Sequence, residues 1–296
     1  MKLSVVGLGL IGGSIAKDLR EAGYVNYVTG IDLNSDHCAK AIELGLIDEV
    51  SDLSKGVRDA DVVLVSIPVN ASVKVIADVL DHTSEKTLVL DTGSTKSLIC
   101  KSLNDHPSRH RFVAAHPIAG TENSGPTAAL SGLFRGKTNI ICDGEKSDQN
   151  CIDQAIALFE VLGLRTMFMQ AEEHDRHVAY VSHLSHVSSF LLCKTVFDIE
   201  KDEQNIFALA GSGFASTVRL AKSSPEMWAP IFEQNTEYLS QALLEYIMHL
   251  QRFHYFLLKK DTAELTKIMT AANRIRTILD GIDPAQKSVT TPTKIQ

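Results

Sequence analysis

The chain has 296 residues, 44% of them hydrophobic and 22% charged, a balance that excludes a disordered or low-complexity polypeptide. Its 29 basic and 36 acidic residues leave a net charge of −7, so no basic excess exists to neutralise a nucleic-acid backbone. No run of about 18 apolar residues offers a membrane span.

Leu3–Val6 reads as a short strand that breaks at Gly7, and Leu10–Ala22 as a helix stopped by Gly23. Tyr27–Ile31 is the next strand. Val62–Ile67 is apolar on both faces, as a parallel strand covered by helices must be, and Pro68 closes it. Strands at Thr87–Asp91 and Arg111–Ala115 continue the alternation, and those at Thr138–Cys142 and Arg165–Met169 flank a helix over Asp148–Leu162. Strand alternating with helix predicts an α/β fold with a doubly wound, mostly parallel, Rossmann-type sheet over residues 1–170.

Beyond Ala171 the pattern turns helical. Long helices are expected over Glu172–Ile199, Pro225–Leu250 and Asp261–Leu279, the last stopping at Gly281 with Pro284 beyond. An all-helical domain over 171–286 is expected, and a homodimer built through it, because such helices must hide their apolar faces against each other or a second subunit. Residues 287–296 carry no periodicity and read as a loose tail. The apolar start after Lys2 is cut by Gly7, Gly9, Gly12 and Gly13, which argues against a signal peptide. With Cys38, Cys100, Cys142, Cys151 and Cys193 scattered and unpaired, a soluble, cytoplasmic protein is expected.

Gly7-Leu8-Gly9-Leu10-Ile11-Gly12 is a G-x-G-x-x-G between a strand and a helix, the context a dinucleotide site requires. Gly7 permits the tight turn, Gly9 lets backbone approach a pyrophosphate, and Gly12 lets helix pack on strand. Asp32 ends the second strand 20 residues after Gly12, where a carboxylate accepts from an adenosine ribose and repels a 2′-phosphate; no arginine follows closely, so NAD is expected over NADP. Ser66 and Pro68, at the carboxyl end of the Val62–Ile67 strand, are assigned to the same cofactor.

Three further clusters lie at carboxyl ends of strands or on helices. Asp91-Thr92-Gly93-Ser94-Thr95-Lys96 is compatible with a helix cap by Ser94 or Thr95 and with ligand contact. His116-Pro117-Ile118-Ala119-Gly120-Thr121 puts a histidine where a neutral imidazole can take the proton of an alcohol as its hydride leaves. The third cluster, His174-Asp175-Arg176-His177 and Ser182-His183-Leu184-Ser185-His186, places His183 and His186 three apart on one helix face. No third ligand fixes a metal there, so contacts to a bound anion or hydroxyl are expected instead. Past Gly211-Ser212-Gly213-Phe214, which reads as a break between helices, Arg219 offers a planar fork for a carboxylate, or a solvated helix charge.

Together these segments resemble the prephenate dehydrogenase family, which includes arogenate dehydrogenases. The resemblance is carried by His-Pro-Ile-Ala-Gly-Thr-Glu at 116–122, Ser-His-Leu-Ser-His at 182–186, Thr-Val-Arg-Leu-Ala with Pro-Glu-Met-Trp at 217–228, and Asp-Thr-Gly-Ser-Thr-Lys at 91–96. It implies NAD-dependent oxidative decarboxylation of prephenate to 4-hydroxyphenylpyruvate on the route to tyrosine, with no metal. Arogenate dehydrogenase is the nearest alternative, and a β-hydroxyacid dehydrogenase or imine reductase a more distant one. In family terms His116 assists deprotonation of the ring hydroxyl and Ser94 orients it. His186 and Arg219 bind substrate, Thr121 and His183 contribute, and Trp228 lines the pocket across a homodimer formed by the helical domain. The chain departs from many relatives at Ser185, where they have proline, and at Ala215 and Ser216, where several carry charge.

Overall fold

A computed structural model describes residues 1–201 and 206–282. The strands are β1 (Lys2–Val6), β2 (Tyr27–Ile31), β3 (Glu49–Val50), β4 (Val62–Val65), β5 (Leu88–Asp91), β6 (Phe112–Pro117), β7 (Thr138–Cys142) and β8 (Arg165–Met169). They form one eight-stranded sheet in the order β3-β2-β1-β4-β5-β6-β7-β8. Every pairing is parallel except β6 with β7.

The helices between them are α1 (Leu10–Glu21), α2 (Ser35–Glu43), α3 (Leu53–Gly56), α4 (Val69–His82), α5 (Ser97–Ser102) and α6 (Gln149–Val161). Strand residues alternate between two apolar layers. Leu3, Val5, Leu64, Leu90 and Ile141 pack with Ile15 and Leu19 of α1 and Leu158 and Phe159 of α6. Val6, Val63, Val65, Val89 and Phe112 pack with Ile76, Val79 and Leu80 of α4 and Ile99 of α5. Burial on both faces explains why β4, Val62–Val65, shows no polar alternation. The strand order reverses between β1 and β4, so the crevice outside their carboxyl ends is the place where such sheets bind ligands.

The helical half differs from its expected outline. The helix expected over Glu172–Ile199 is α7 (Ala171–Val178), a single π turn at Ala179–His183, and α8 (Leu184–Glu200). Gly211 caps a short helix, α9 (Ser212–Thr217), so the segment expected to break the chain forms one turn of its own. Pro225 opens α10 (Pro225–Gln234) at its first turn, as expected, with Ser224 accepting from the Met227 N–H. The helix expected from Pro225 to Leu250 is interrupted at Asn235, and α11 (Thr236–Leu258) then runs further than expected. The expected Asp261–Leu279 helix divides at Asn273 and Arg274 into α12 (Thr262–Ala272) and α13 (Ile275–Ile282), which continues through Gly281. The stop at Pro284 and the tail 287–296 lie outside the described residues.

The chain forms two compact units, the first ending at Leu239 and the second beginning at Ser240. The first therefore runs past residue 170. Its α7 and α10 bury His174, Asp175, Val178, Trp228 and Ile231. In the second unit the carboxylate of Asp261 caps α12 by accepting from the Glu264 N–H at 3.1 Å. No helix among the described residues is long and apolar enough to cross a membrane.

Candidate active site

The glycine turn lies at the carboxyl end of β1. Gly7 has φ +97°, and a Cβ on it would sit 2.2 Å from the Ser66 carbonyl oxygen. A Cβ on Gly12 would sit 2.3 Å from the Gly7 carbonyl, so both positions admit only glycine. Gly9 is different: a Cβ there would meet nothing within 4 Å, and Gly9 caps α1 with no side chain on the helix's first N–H groups. That leaves donors and open space at a helix N-terminus, the fit an anionic pyrophosphate needs. Leu8 N–H donates to Asp32 Oδ2 at 2.8 Å and Asn34 N–H to Oδ1 at 2.8 Å, which fixes the Asp32 carboxylate at the end of β2. Leu10 and Ile11 begin α1, and Ser66 follows β4 against Gly7, its hydroxyl accepting from Thr92 Oγ1 at 3.0 Å. Pro68 caps α4 beside them and is exposed. The structure thus brings every expected cofactor residue to one edge of the sheet.

His116, near the carboxyl end of β6, reaches that same edge. Its Nδ1 lies 2.8 Å from Nε2 of His174, whose Nδ1 lies 2.8 Å from Asp175 Oδ1. The Asp175 carboxylate also accepts from the backbone N–H of Lys96 and of Ser97, each at 2.8 Å. Burial would raise its pKa, but these bonds and His174 prevail and hold it below the usual carboxylate range. A charged carboxylate accepts only, so His174 carries its proton on Nδ1 and offers the lone pair of Nε2. His116 must then donate through Nδ1, which leaves its Nε2 unprotonated. Burial first, then the neighbouring His174, Lys96 and His183, keep the His116 ring neutral well below the ordinary histidine range.

The π turn sets the next residues. Its wider turn buries His183, whose Nδ1 accepts from Asn235 Nδ2 at 3.0 Å. Asn235 also donates to the Asp175 carbonyl at 2.7 Å. Burial pushes the His183 pKa down to about 4. His186 stacks on Trp228 with ring centroids 3.5 Å apart, and His183 meets Trp228 edge-on at 5.8 Å. The three-residue spacing therefore does bring both rings to one partner. Trp228 belongs here to its own subunit's cluster, and its buried indole N–H has no hydrogen-bond partner among the described residues.

Arg219 Nη1 donates to Glu122 Oε2 at 3.1 Å from a half-exposed position, in the loop-proximal part of the same unit. Thr121 Oγ1 accepts from the Asn123 N–H at 3.2 Å, a turn contact within its own loop. One expectation needs correction. Ser94 and Thr95 do not cap α5, because the helix begins at Ser97 and Asp175 supplies its cap from α7. Ser94 is half-buried, and the partner at His116 Nδ1 is His174. Lys194, the residue a β-hydroxyacid dehydrogenase reading would use, forms an exposed pair with Asp198 at 2.5 Å. Among the described residues no cluster of three or more His, Cys, Asp or Glu could hold a metal ion.

His174, Asp175, Lys96, Asn235 and Glu122 were not singled out as site residues from sequence. His174 and Asp175 sat in a noted histidine cluster, but nothing in spacing shows which ring of such a cluster turns inward.

The family model of the prephenate dehydrogenase nucleotide-binding domain matches residues 15–168, and that of its dimerization domain matches residues 170–271. The prephenate dehydrogenase of Bacillus subtilis (strain 168) is 30% identical over 287 residues, 96% of this chain and 76% of that protein. The crystal structure of prephenate dehydrogenase from A. aeolicus in complex with hydroxyphenyl propionate and NAD+ superposes with a TM-score of 0.86 at 31% identity, covering 94% of this chain and 98% of that one. Synechocystis arogenate dehydrogenase does so with a TM-score of 0.75 at 30% identity, covering 94% and 100%. This chain belongs to the prephenate dehydrogenase family.

Proposed function

We propose that the chain is an NAD-dependent prephenate dehydrogenase, releasing 4-hydroxyphenylpyruvate, CO2 and NADH. The observation that carries this reading is the His116–His174–Asp175 chain, which delivers an unprotonated imidazole nitrogen to the sheet edge that holds the glycine turn. Gly7, Gly9, Gly12 and Asp32 hold NAD, which supplies the hydride acceptor. His116 Nε2 accepts the proton of the ring hydroxyl as the carbinol carbon loses hydride. His174 and the Asp175 carboxylate stabilise the imidazolium that results. The electron pair left when the ring carboxylate departs as CO2 runs through the ring to its oxygen, which takes the proton back from His116. Aromatisation drives the step, so the protein has only to align the partners and hold one proton.

Arg219 has five N–H donors and uses one on Glu122, so its fork can grip a substrate carboxylate while keeping that partner. The unpartnered Trp228 N–H is a donor for the second carboxylate, whereas the neutral His186 gives its Nδ1 proton to the Ser182 carbonyl at 3.0 Å and keeps Nε2 as an acceptor for a substrate hydroxyl. Arogenate is the second reading, because Glu122 takes only one N–H from Arg219 and keeps acceptor capacity for an amino group. In this reading residues 1–170 bind the dinucleotide, and the helices that follow within the first unit, through Asn235, complete the substrate site. The exposed apolar side chains of α8, among them Leu191, Phe197 and Ile199, support a homodimer formed by the helical half. A cytoplasmic location accords with five free cysteines, four of them buried.

The test is NADH or NADPH formation by the purified protein from prephenate and from arogenate, each with NAD and with NADP. Turnover should be greatest with prephenate and NAD, with kcat/KM for NAD at least about tenfold above NADP because Asp32 repels a 2′-phosphate. Absence of turnover in all four combinations would overturn the assignment.

A further inference from the structure

The first unit contains a fully buried ion pair, Lys96 with Asp91, at 0% and 1% exposure. Removing two charges from water is costly, and a buried pair is seldom a net source of stability, so its partners are informative. Both side chains converge on the backbone of one residue. Asp91 Oδ1 accepts from the Ala115 N–H at 3.1 Å, and Lys96 Nζ donates to the Ala115 carbonyl at 2.7 Å while binding Asp91 Oδ2. Ala115 is the residue before His116.

The strand ladder explains why that backbone needs side chains. The β5–β6 ladder is registered at Val89 with Phe112 and Leu90 with Val113, and β5 ends at Asp91. No strand backbone remains to meet Ala115 on that side, while β7 pairs with β6 on the other. Gly93 closes the turn: its N–H donates to Asp91 Oδ2 at 2.9 Å, and a Cβ there would lie 2.9 Å from that oxygen. Lys96 is anchored at its other end as well, since its own N–H donates to Asp175 Oδ1, the terminus of the histidine chain. One residue therefore ties together the strand that carries His116 and the carboxylate that sets the tautomer of His174.

We infer that Lys96 and Asp91 are positioning residues for the proton transfer: they hold the backbone of Ala115 where β5 has ended, and so fix the His116 ring in place. The inference rests on His116 being the base. The titratable groups facing His116 are His174, Lys96 and His183, with Asp91 and Asp175 one contact further out.

The test compares Lys96→Met, Lys96→Arg and His116→Asn by steady-state NADH formation from prephenate between pH 5 and 9, alongside thermal melting. Lys96→Met should lower kcat about tenfold or more while leaving the KM for NAD within about twofold, because a small displacement of a reacting group is costly. It should also move the acidic limb of kcat/KM to higher pH by about half a unit or more, since losing a nearby positive charge eases protonation of the ring. Lys96→Arg keeps the charge and should leave that limb in place. If Lys96→Met does not fold, Asp91→Leu/Lys96→Met, which exchanges the ion pair for an apolar one, should still show the tenfold fall in kcat. A folded Lys96→Met with unchanged kcat and limb, or a folded double variant with unchanged kcat, overturns the inference. Retained turnover in His116→Asn would instead refute His116 as the base, so the two failures are distinguishable.

Discussion

His116→Asn is expected to lower kcat by about 10²–10⁴-fold, the usual contribution of a positioned general base. Asparagine can still hydrogen-bond to His174 through its amide, so the packing around β6 and α7 survives. What it lacks is a nitrogen that binds a proton near neutral pH. Because the lost interaction belongs to the transition state, kcat and kcat/KM should fall together while KM for prephenate changes little. Steady-state NADH formation across pH 6–9 checks this. Turnover within about threefold of wild type at every pH would remove His116 from the chemistry.

Asp175→Asn should be nearly as damaging, by about 10²-fold or more in kcat, although residue 175 touches no reacting atom. The carboxylate accepts three N–H groups, from His174, Lys96 and Ser97. An amide has one oxygen to offer. If its NH₂ turns toward His174, that ring must move its proton to Nε2, His116 then accepts at Nδ1, and the proton sits on the nitrogen that should be the base. In serine-protease triads a comparable reversal of tautomer costs about 10⁴ in kcat. If the NH₂ turns the other way it confronts only the Ser97 N–H, which loses its acceptor at a cost of about 1 kcal/mol while the His174 tautomer is kept. The two orientations separate by experiment. Each orientation costs α5 one accepted N–H and lowers kcat, the first by reversing the tautomer and the second by removing the charge that stabilises the His116 imidazolium. Nitrogen-15 NMR of His174 tells which ring nitrogen carries the proton. Wild-type kcat in a folded Asp175→Asn protein would contradict the tautomer argument.

The parts of this architecture set by local chemistry could be read from the chain. Gly7 and Gly12 are demanded by contacts within one turn and its neighbouring strand, so their spacing announces the dinucleotide crevice. The unbroken apolar run at β4 likewise declares a covered parallel strand. Helix interruptions were less legible. The π turn at Ala179–His183 carries no proline or glycine, and it follows from burying His183 against Asn235 and Trp228 rather than from local preference. Asn235, where α10 ends, gives its side-chain amide to the Asp175 carbonyl and to His183, both distant in sequence.

The site shows the same division. His116 was legible because it sits at a strand end before a Pro/Gly-rich loop. Its partner was not: Ser94 lies nearer in sequence, but the ring that meets Nδ1 comes from α7, 58 residues away. Lys96 closes the Asp91–Lys96 segment, and nothing local to it announces a partner. Only the ending of β5 one residue short of Ala115 gives its ammonium a peptide to hold.

His116 is expected to enter the reaction neutral, with its proton on Nδ1 and Nε2 bare. Nitrogen-15 NMR of the histidine-labelled protein at pH 7, with His116→Asn used to assign the resonance, reports this directly. The expected spectrum shows a neutral ring with a protonated, hydrogen-bonded Nδ1 and a pyridine-like Nε2 shift. A proton on Nε2, or an imidazolium at that pH, would contradict it.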